Sequence, residues 1–321
     1  MNFAVRRVGA GVVTLFLVSV FCFLAFDIIP GDPASRILGI NATDEQIEAF
    51  REEMGLNRPL PVRYFNWLGN LITGNLGNSM RFQGRAVSGL IAERLPVSFF
   101  LGLLSLIMIL LIAVPVSLFS VRRDIAAGHI INRIVNIFTA AGISVPGFFL
   151  GVLFIWIFGV GFRLFSPGIF IDYRTNFAGF IGCLFFPALA IAVPNAAIMT
   201  KFLRSSLLKE QNAGYFRTAR AKGANHSFAL RRHAFRNALI PSVTVLGMIA
   251  AEILSGSIII EQVFAIPGIG RLLIASITSR DYPVIQTLVT YISFIVIAIN
   301  TAVDIAIQVI DPRIRLERGD R

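Results

Sequence analysis

Charge is what this sequence has least of. Only 15% of its 321 residues are Asp, Glu, Lys or Arg, while 55% are hydrophobic and the mean hydropathy is +0.75. Soluble domains carry about 25% charged residues. A chain so poor in ions suits a solvent in which ions are costly, and that solvent is lipid. Cysteine is nearly absent. Cys22 and Cys183 both fall inside apolar runs, with neither metal-ligand spacing nor a disulfide framework. The three histidines, His129, His226 and His233, form no metal pattern, and His129 and His226 are expected in solvated or interfacial loops. No Gly-x4-Gly-Lys-Ser/Thr loop occurs, and Gly268 and Gly270 lack the third glycine of a dinucleotide fingerprint. No nucleophile–base pair can be argued. These absences exclude a nucleotide hydrolase and give no support to other catalysis. The net charge of +11 would suit nucleic acid, but the basic residues are interleaved with long apolar runs, which argues against that partner.

Long apolar runs are what the chain does have. A bilayer core takes roughly 20 apolar residues per helix. Six runs qualify: Val8–Ile29, Ser98–Val121, Ile134–Gly161, Gly179–Met199, Ser242–Ile260 and Val284–Ile310, the fourth broken by Pro187 and Pro194. The first follows Arg6 and Arg7 as a signal peptide would. It is long for one, and Asp27–Gly31 is a poor cleavage site, so a retained helix is expected. Basic residues cluster before the first run, between the second and third (Arg122, Arg123, Arg133), between the fourth and fifth, and after the sixth (Arg313, Arg315, Arg318, Arg321). Six spans put all four clusters on one side, the cytoplasm by the positive-inside rule, together with both termini. The opposite loop, Pro30–Val97, carries seven basic and seven acidic residues.

The expected organisation is all-α: a first span within 1–29, an external loop at 30–97, a five-helix domain at 98–310 and a tail at 311–321. In the external loop, Thr43 and Gln46 form a capping-box pattern ahead of a helix over Asp44–Met54, with Gly55 as its stop. A second stretch, Pro61–Thr73, carries Tyr64, Phe65 and Trp67 and is expected to rest at the membrane surface or cap a pore.

The most patterned segment is the basic loop Lys201–Pro241. Tyr215–Gly223 predicts a helix ending at a glycine, and Asn225–Asn237 a second helix, giving a helix–turn–helix that protrudes into the cytoplasm. The positive-inside rule alone explains the charge. It does not explain Ala219 and Ala221 beside Gly223, small residues that permit close approach by another protein.

This segment resembles the coupling segment of ABC-importer permeases. Against the general pattern Glu-Ala-Ala-x3-Gly-x9-Ile-x-Leu-Pro only Ala219 and Gly223 agree. Arg217–Gly223 and Arg232–Pro241 instead resemble the dipeptide/oligopeptide/nickel permeases, as do Ile29–Ala34, Gly55–Pro61, Gly74–Gly77, Glu93–Pro96, Ser144–Pro146, Glu261–Phe264 and Arg280–Pro283. The resemblance spans nearly the whole chain. It implies a permease subunit of an ATP-driven importer, for di- or oligopeptides first and for nickel, glutathione or another small solute as the alternative. It also implies a second permease chain, two cytoplasmic ATPase subunits that hold ATP and Mg, and an external solute-binding protein, with no cofactor on this chain. Tyr215, Arg217, Ala219, Arg220, Ala221, Gly223, Arg231, Arg232 and Arg236 are the coupling candidates. An ion-coupled secondary transporter is the reading from another class, but such folds usually carry internal repeats and none is clear here.

Polar groups inside spans default to function. Glu252 lies mid-way along the fifth run. Asn300, Asp304 and Gln308 share one face of the sixth at a spacing of four. Glu252, Asn300 and Asp304 are therefore candidates for a translocation pathway, with inter-helix hydrogen bonding the competing role. Asp27 and Glu261 are expected near an interface.

Overall fold

The computed structural model describes residues 3–28, 42–53, 55, 57–82, 84–121 and 128–310. The Ile29–Ala34 motif, Met54, Arg122, Arg123 and the basic tail at 311–321 lie outside them. So do the side chains of Asp27, His129 and Gln308. Among the described residues the secondary structure is helical, apart from an isolated bridge between Asn78 and Ala86. Five helices are long and apolar enough to cross a membrane: Val5–Ala25, Val87–Ser120, Phe177–Gln211, His226–Val263 and Tyr282–Ile307.

The third expected span differs. In place of a straight Ile134–Gly161 helix the chain forms Ile130–Ser144 and Gly147–Gly161, bent by 99°. Pro146 accounts for the break. It has no N–H to donate, and its ring pushes Val145 out of helical geometry. Pro187 and Pro194 do the opposite of what was expected, for the Phe177–Gln211 helix runs through both without interruption. That helix also absorbs Lys201–Gln211, the first part of the expected loop. Asn176 caps its start by accepting from Gly179 N–H at 2.9 Å.

The chain divides into two compact units. One comprises the described residues of 1–95 and 272–297. In it the capping box forms as expected: Thr43 N–H donates to Gln46 Oε1 at 3.1 Å and Gln46 N–H to Thr43 Oγ1 at 3.4 Å. The helix spans Asp44–Glu53, and Gly55 follows at φ +66°. The Leu60–Thr73 helix does not offer Tyr64 to a membrane surface. Tyr64 is buried against the first span, its hydroxyl 2.8 Å from Ser19 Oγ and its ring 5.5 Å from that of Phe23. A buried phenol needs a polar partner, and Ser19 supplies it. Asp281, fully buried, accepts from Ser79 Oγ and from the backbone N–H groups of Met80 (3.1 Å) and Arg81 (3.3 Å), which pins the 78–82 turn.

The other unit comprises the described residues of 96–271 and 298–310. Its main core joins Leu101, Ile109, Phe180, Leu184, Met199, Ile249, Ile253 and Ile260. Close approach of helices rests on glycine. A Cβ at Gly247 would lie 2.4 Å from Val303, and one at Gly142 would lie 2.6 Å from Ala197.

Candidate functional site

The segment between the Phe177–Gln211 and His226–Val263 helices is built as a fixed reversal. Its short helix runs Gly214–Ala221. Gly223 N–H then donates to Arg220 O at 3.0 Å and Ala224 N–H to Ala219 O at 3.2 Å. This is a Schellman closure, with Gly223 in the left-handed region at φ +91°. A Cβ there would meet nothing within 4 Å, so the demand on glycine is conformational and not steric. Arg220 adds a bond from Nη1 to Ala224 O at 2.8 Å. One residue later Asn225 accepts from Phe228 N–H at 2.7 Å and caps the next helix.

That next helix is not the separate Asn225–Asn237 element expected. It begins at His226, passes through a π-helical stretch at Leu230–Ala234 and continues as the fifth membrane span to Val263. The reversal is therefore continuous in backbone with a span, by way of the π-helical stretch and Pro241.

The short helix is anchored on one face. Phe216 is buried and Ala219 half-buried, three residues apart, in a cluster with Val121, Leu203, Leu207, Leu230 and Ala234. Gln211 Nε2 donates to Val121 O at 3.1 Å, a buried bond that ties this end to the Val87–Ser120 span. His226 opens the following helix and does not sit in a loop; it is half-buried, its ring edge-on against Phe216 at 5.6 Å. The other face is open. Tyr215, Arg217, Arg220, Ala221 and Gly223 are exposed, and so are Arg231, Arg232 and Arg236 on the following helix. Ala219 stands apart from the other coupling candidates because it faces the chain's own core. Tyr215 donates its hydroxyl to Glu210. Its phenol is shifted upward, first by burial and then by the Glu210 carboxylate, with an Asn237 hydrogen bond partly offsetting.

The pathway candidates lie elsewhere. Glu252 is exposed, as are Thr244, Met248, Ser255 and Gly256, while Ile249, Ile253 and Ile260 of the same helix are buried. Asn300 is exposed and Asp304 half-buried. The structure reveals a polar centre that sequence reasoning undervalued. Glu261 is fully buried: it accepts from Ser98 Oγ at 2.6 Å and from Arg271 N–H at 3.0 Å. Ser98 Oγ in turn accepts from Ile269 N–H at 2.8 Å. Gly268 and Gly270 make the room, since a Cβ would come within 2.3 Å of the carboxyl at the first and 3.0 Å at the second. The two glycines weighed as a nucleotide fingerprint are the walls of this cradle.

Apolar helices long enough to cross a membrane, joined by a basic reversal, define the class: a multi-pass helical membrane protein. The comparisons name the family. Residues 124–316 match "Binding-protein-dependent transport system inner membrane component", and residues 1–102 match that component's N-terminal part. The chain belongs to this family, and is an inner-membrane permease subunit of an ABC transporter. Among curated relatives, a peptide ABC transporter permease protein of Sinorhizobium fredii is 37% identical over 98% of this chain and 99% of its own length. The oligopeptide transport system permease protein AppB of Bacillus subtilis is 33% identical over 97% and 98%. A solved chain of the MetNI methionine ABC transporter, in inward-facing conformations, shares the fold. Its TM-score is 0.55 at 20% identity, covering 69% of this chain and 96% of that one.

Proposed function

We propose that this chain forms half of the translocation pathway of an ATP-driven importer of di- or oligopeptides, and that Gly214–Arg236 docks it on a cytoplasmic ATPase. The assembly comprises a second, homologous permease chain, two ATPase subunits and an external solute-binding protein. ATP and Mg belong to the ATPases; this chain contributes no catalytic group and holds no cofactor. Both termini and the docking segment face the cytoplasm, as the Lys/Arg asymmetry requires.

One observation carries the mechanism: the reversal is continuous with the fifth span and wedged by Phe216 against two others. When the ATPases close on nucleotide, a docked reversal moves as a body and tilts the spans it is fixed to. Nucleotide can drive this only by binding the two conformations with different affinity. Ala221, Gly223 and the flanking cations form the docking face, while Phe216 and Ala219 transmit the force inward. Glu252 belongs to the pathway or to the face against the second permease, because a lone carboxylate facing lipid would be costly. Peptide as the cargo rests on the relatives' names.

The test is uptake by the complete transporter in proteoliposomes, with radiolabelled di- and oligopeptides and with nickel. Peptide uptake that requires both ATP and binding protein supports the reading. Nickel uptake without peptide uptake refutes the cargo, and uptake without ATPase subunits refutes the class.

A further inference from the structure

A groove of about 250 Å³ lies between the end of the Val87–Ser120 span and the start of the His226–Val263 helix. Val114, Pro115, Leu118 and Phe119 form one wall, at spacings that place them on one helix face. Leu230 forms the other, and Arg231 stands at the mouth. Phe119 remains 53% exposed. Arg231 uses only its Nε, toward Ser227 O at a long 3.4 Å. Among the described residues no carboxylate pairs with it.

Apolar walls that end in a free guanidinium suit an amphiphile with an anionic head. One wall is the end of an apolar helix long enough to cross a membrane, and the other begins beside the basic segment assigned to the cytoplasmic side, so the groove belongs at the level of the lipid headgroups. Basic pockets beside spans attract anionic headgroups by the same logic. We propose that this groove is a binding site for an anionic phospholipid, with an acyl chain along Leu118, Phe119 and Leu230 and the phosphate on Arg231. Val114, Leu118 and Leu230 also belong to the cluster that holds Phe216. The lipid therefore braces the anchor of the reversal, and the membrane's anionic content sets how firmly that anchor is held. The site requires only that the chain spans a membrane. It assigns Arg231 to the lipid side of the segment and leaves the docking face to Ala221, Gly223 and the other flanking cations, Arg217 and Arg220 among them.

Native mass spectrometry of the intact transporter, offered palmitoyl-oleoyl phosphatidylglycerol or the matching phosphatidylcholine, tests the headgroup. The expected result is retention of the anionic lipid about fivefold over the zwitterionic one, the effect of one basic residue near an anionic leaflet. Arg231→Gln removes that preference, and the exposed position leaves packing intact. A phosphatidylglycerol with a diazirine on its acyl chain tests the walls. Label should concentrate on peptides covering 114–119 and 227–231, and Leu118→Trp should displace it. Equal retention of the two lipids by the native protein overturns the proposal, as does label with no enrichment at 114–119. Loss of ATPase subunits in Arg231→Gln with the lipid preference unchanged also overturns it, and returns Arg231 to the docking face. Lipid retention is read without ATP hydrolysis, so failure of the docking role would leave these outcomes intact.

Discussion

The reversal at Gly214–Arg236 and the cradle around Glu261 handle charge in opposite ways. In the reversal, cations stand outside and an apolar wedge, Phe216, goes in. In the cradle, the charge-bearing group is inside, saturated by Ser98 and the Arg271 N–H, with glycines cleared from its path. The difference separates function from scaffold. An exposed cation is free to pair with another chain and costs little to lose, whereas a buried carboxyl has used its capacity at home and cannot be removed without leaving its donors stranded. The Asp281 turn in the other unit repeats the second pattern, with three donors on one carboxyl.

The contrast breaks first at the cradle. Gly268→Val would drive its side chain into the Glu261 carboxyl, and no folded chain should accumulate in membranes. Glu261→Ala is the milder probe. It strands the Ser98 hydroxyl and the Arg271 N–H at about 1–3 kcal/mol each, read as a lower thermal midpoint of the purified transporter. Glu261→Gln should recover much of the loss. An unchanged midpoint in Glu261→Ala would mean the cradle is not structural.

The reversal should fail differently, in coupling and not in folding. Gly223→Val forces a β-branched residue to φ +91°, where even an ordinary L-residue is disfavoured by about 1–2 kcal/mol. We expect the variant to reach the membrane but to lose ATPase stimulation by loaded binding protein, with Gly223→Ala intermediate. Ala219→Trp should also abolish transport. Because Ala219 faces the chain's own core, that loss should come with a lower midpoint. Ala221→Trp, on the open face, should spare the midpoint and lose ATPase association. Equal midpoints for the two tryptophan variants would contradict the assignment of faces. Single rim changes such as Arg217→Ala should weaken association by no more than about fivefold, since exposed pairs contribute little.

The smallest effect is at Tyr215. Its folded phenol titrates above the ordinary value, so the neutral form is favoured in the fold. Any stability this gives is complete below about pH 10 and fades as pH rises through the folded value. Tyr215→Phe should remove one late-ionising phenol from an absorbance titration while leaving behaviour near pH 7 unchanged.

Much of this was legible in the sequence. Five spans, the capping box at Thr43 and Gln46, and the left-handed turn at Gly223 follow from apolar length and from residues with narrow conformational tastes. What was not legible depended on partners far along the chain. Pro146 breaks its helix while Pro187 and Pro194 do not, because a packed helix can re-satisfy a carbonyl freed by proline and local sequence does not reveal that packing. Asn225–Asn237 has the right pattern for a helix. Nothing local shows that it joins the fifth span through a π-helical stretch. Glu261 finds Ser98 across 163 positions, so its burial left no nearby trace. The direction in which Ala219 faces was set by Leu203, Leu207 and Val121, all distant in sequence.

The central claim is that the reversal couples ATP hydrolysis to span movement. Its most direct test is ATPase activity of the complete transporter in proteoliposomes, with and without loaded binding protein, comparing native protein with Ala221→Trp and Gly223→Val. The account predicts that the native stimulation disappears in both variants while thermal midpoints stay close to native and Ala221→Trp loses its ATPase subunits on purification. Stimulation and subunit association at native levels in both variants would contradict it and place the coupling contact elsewhere on the chain.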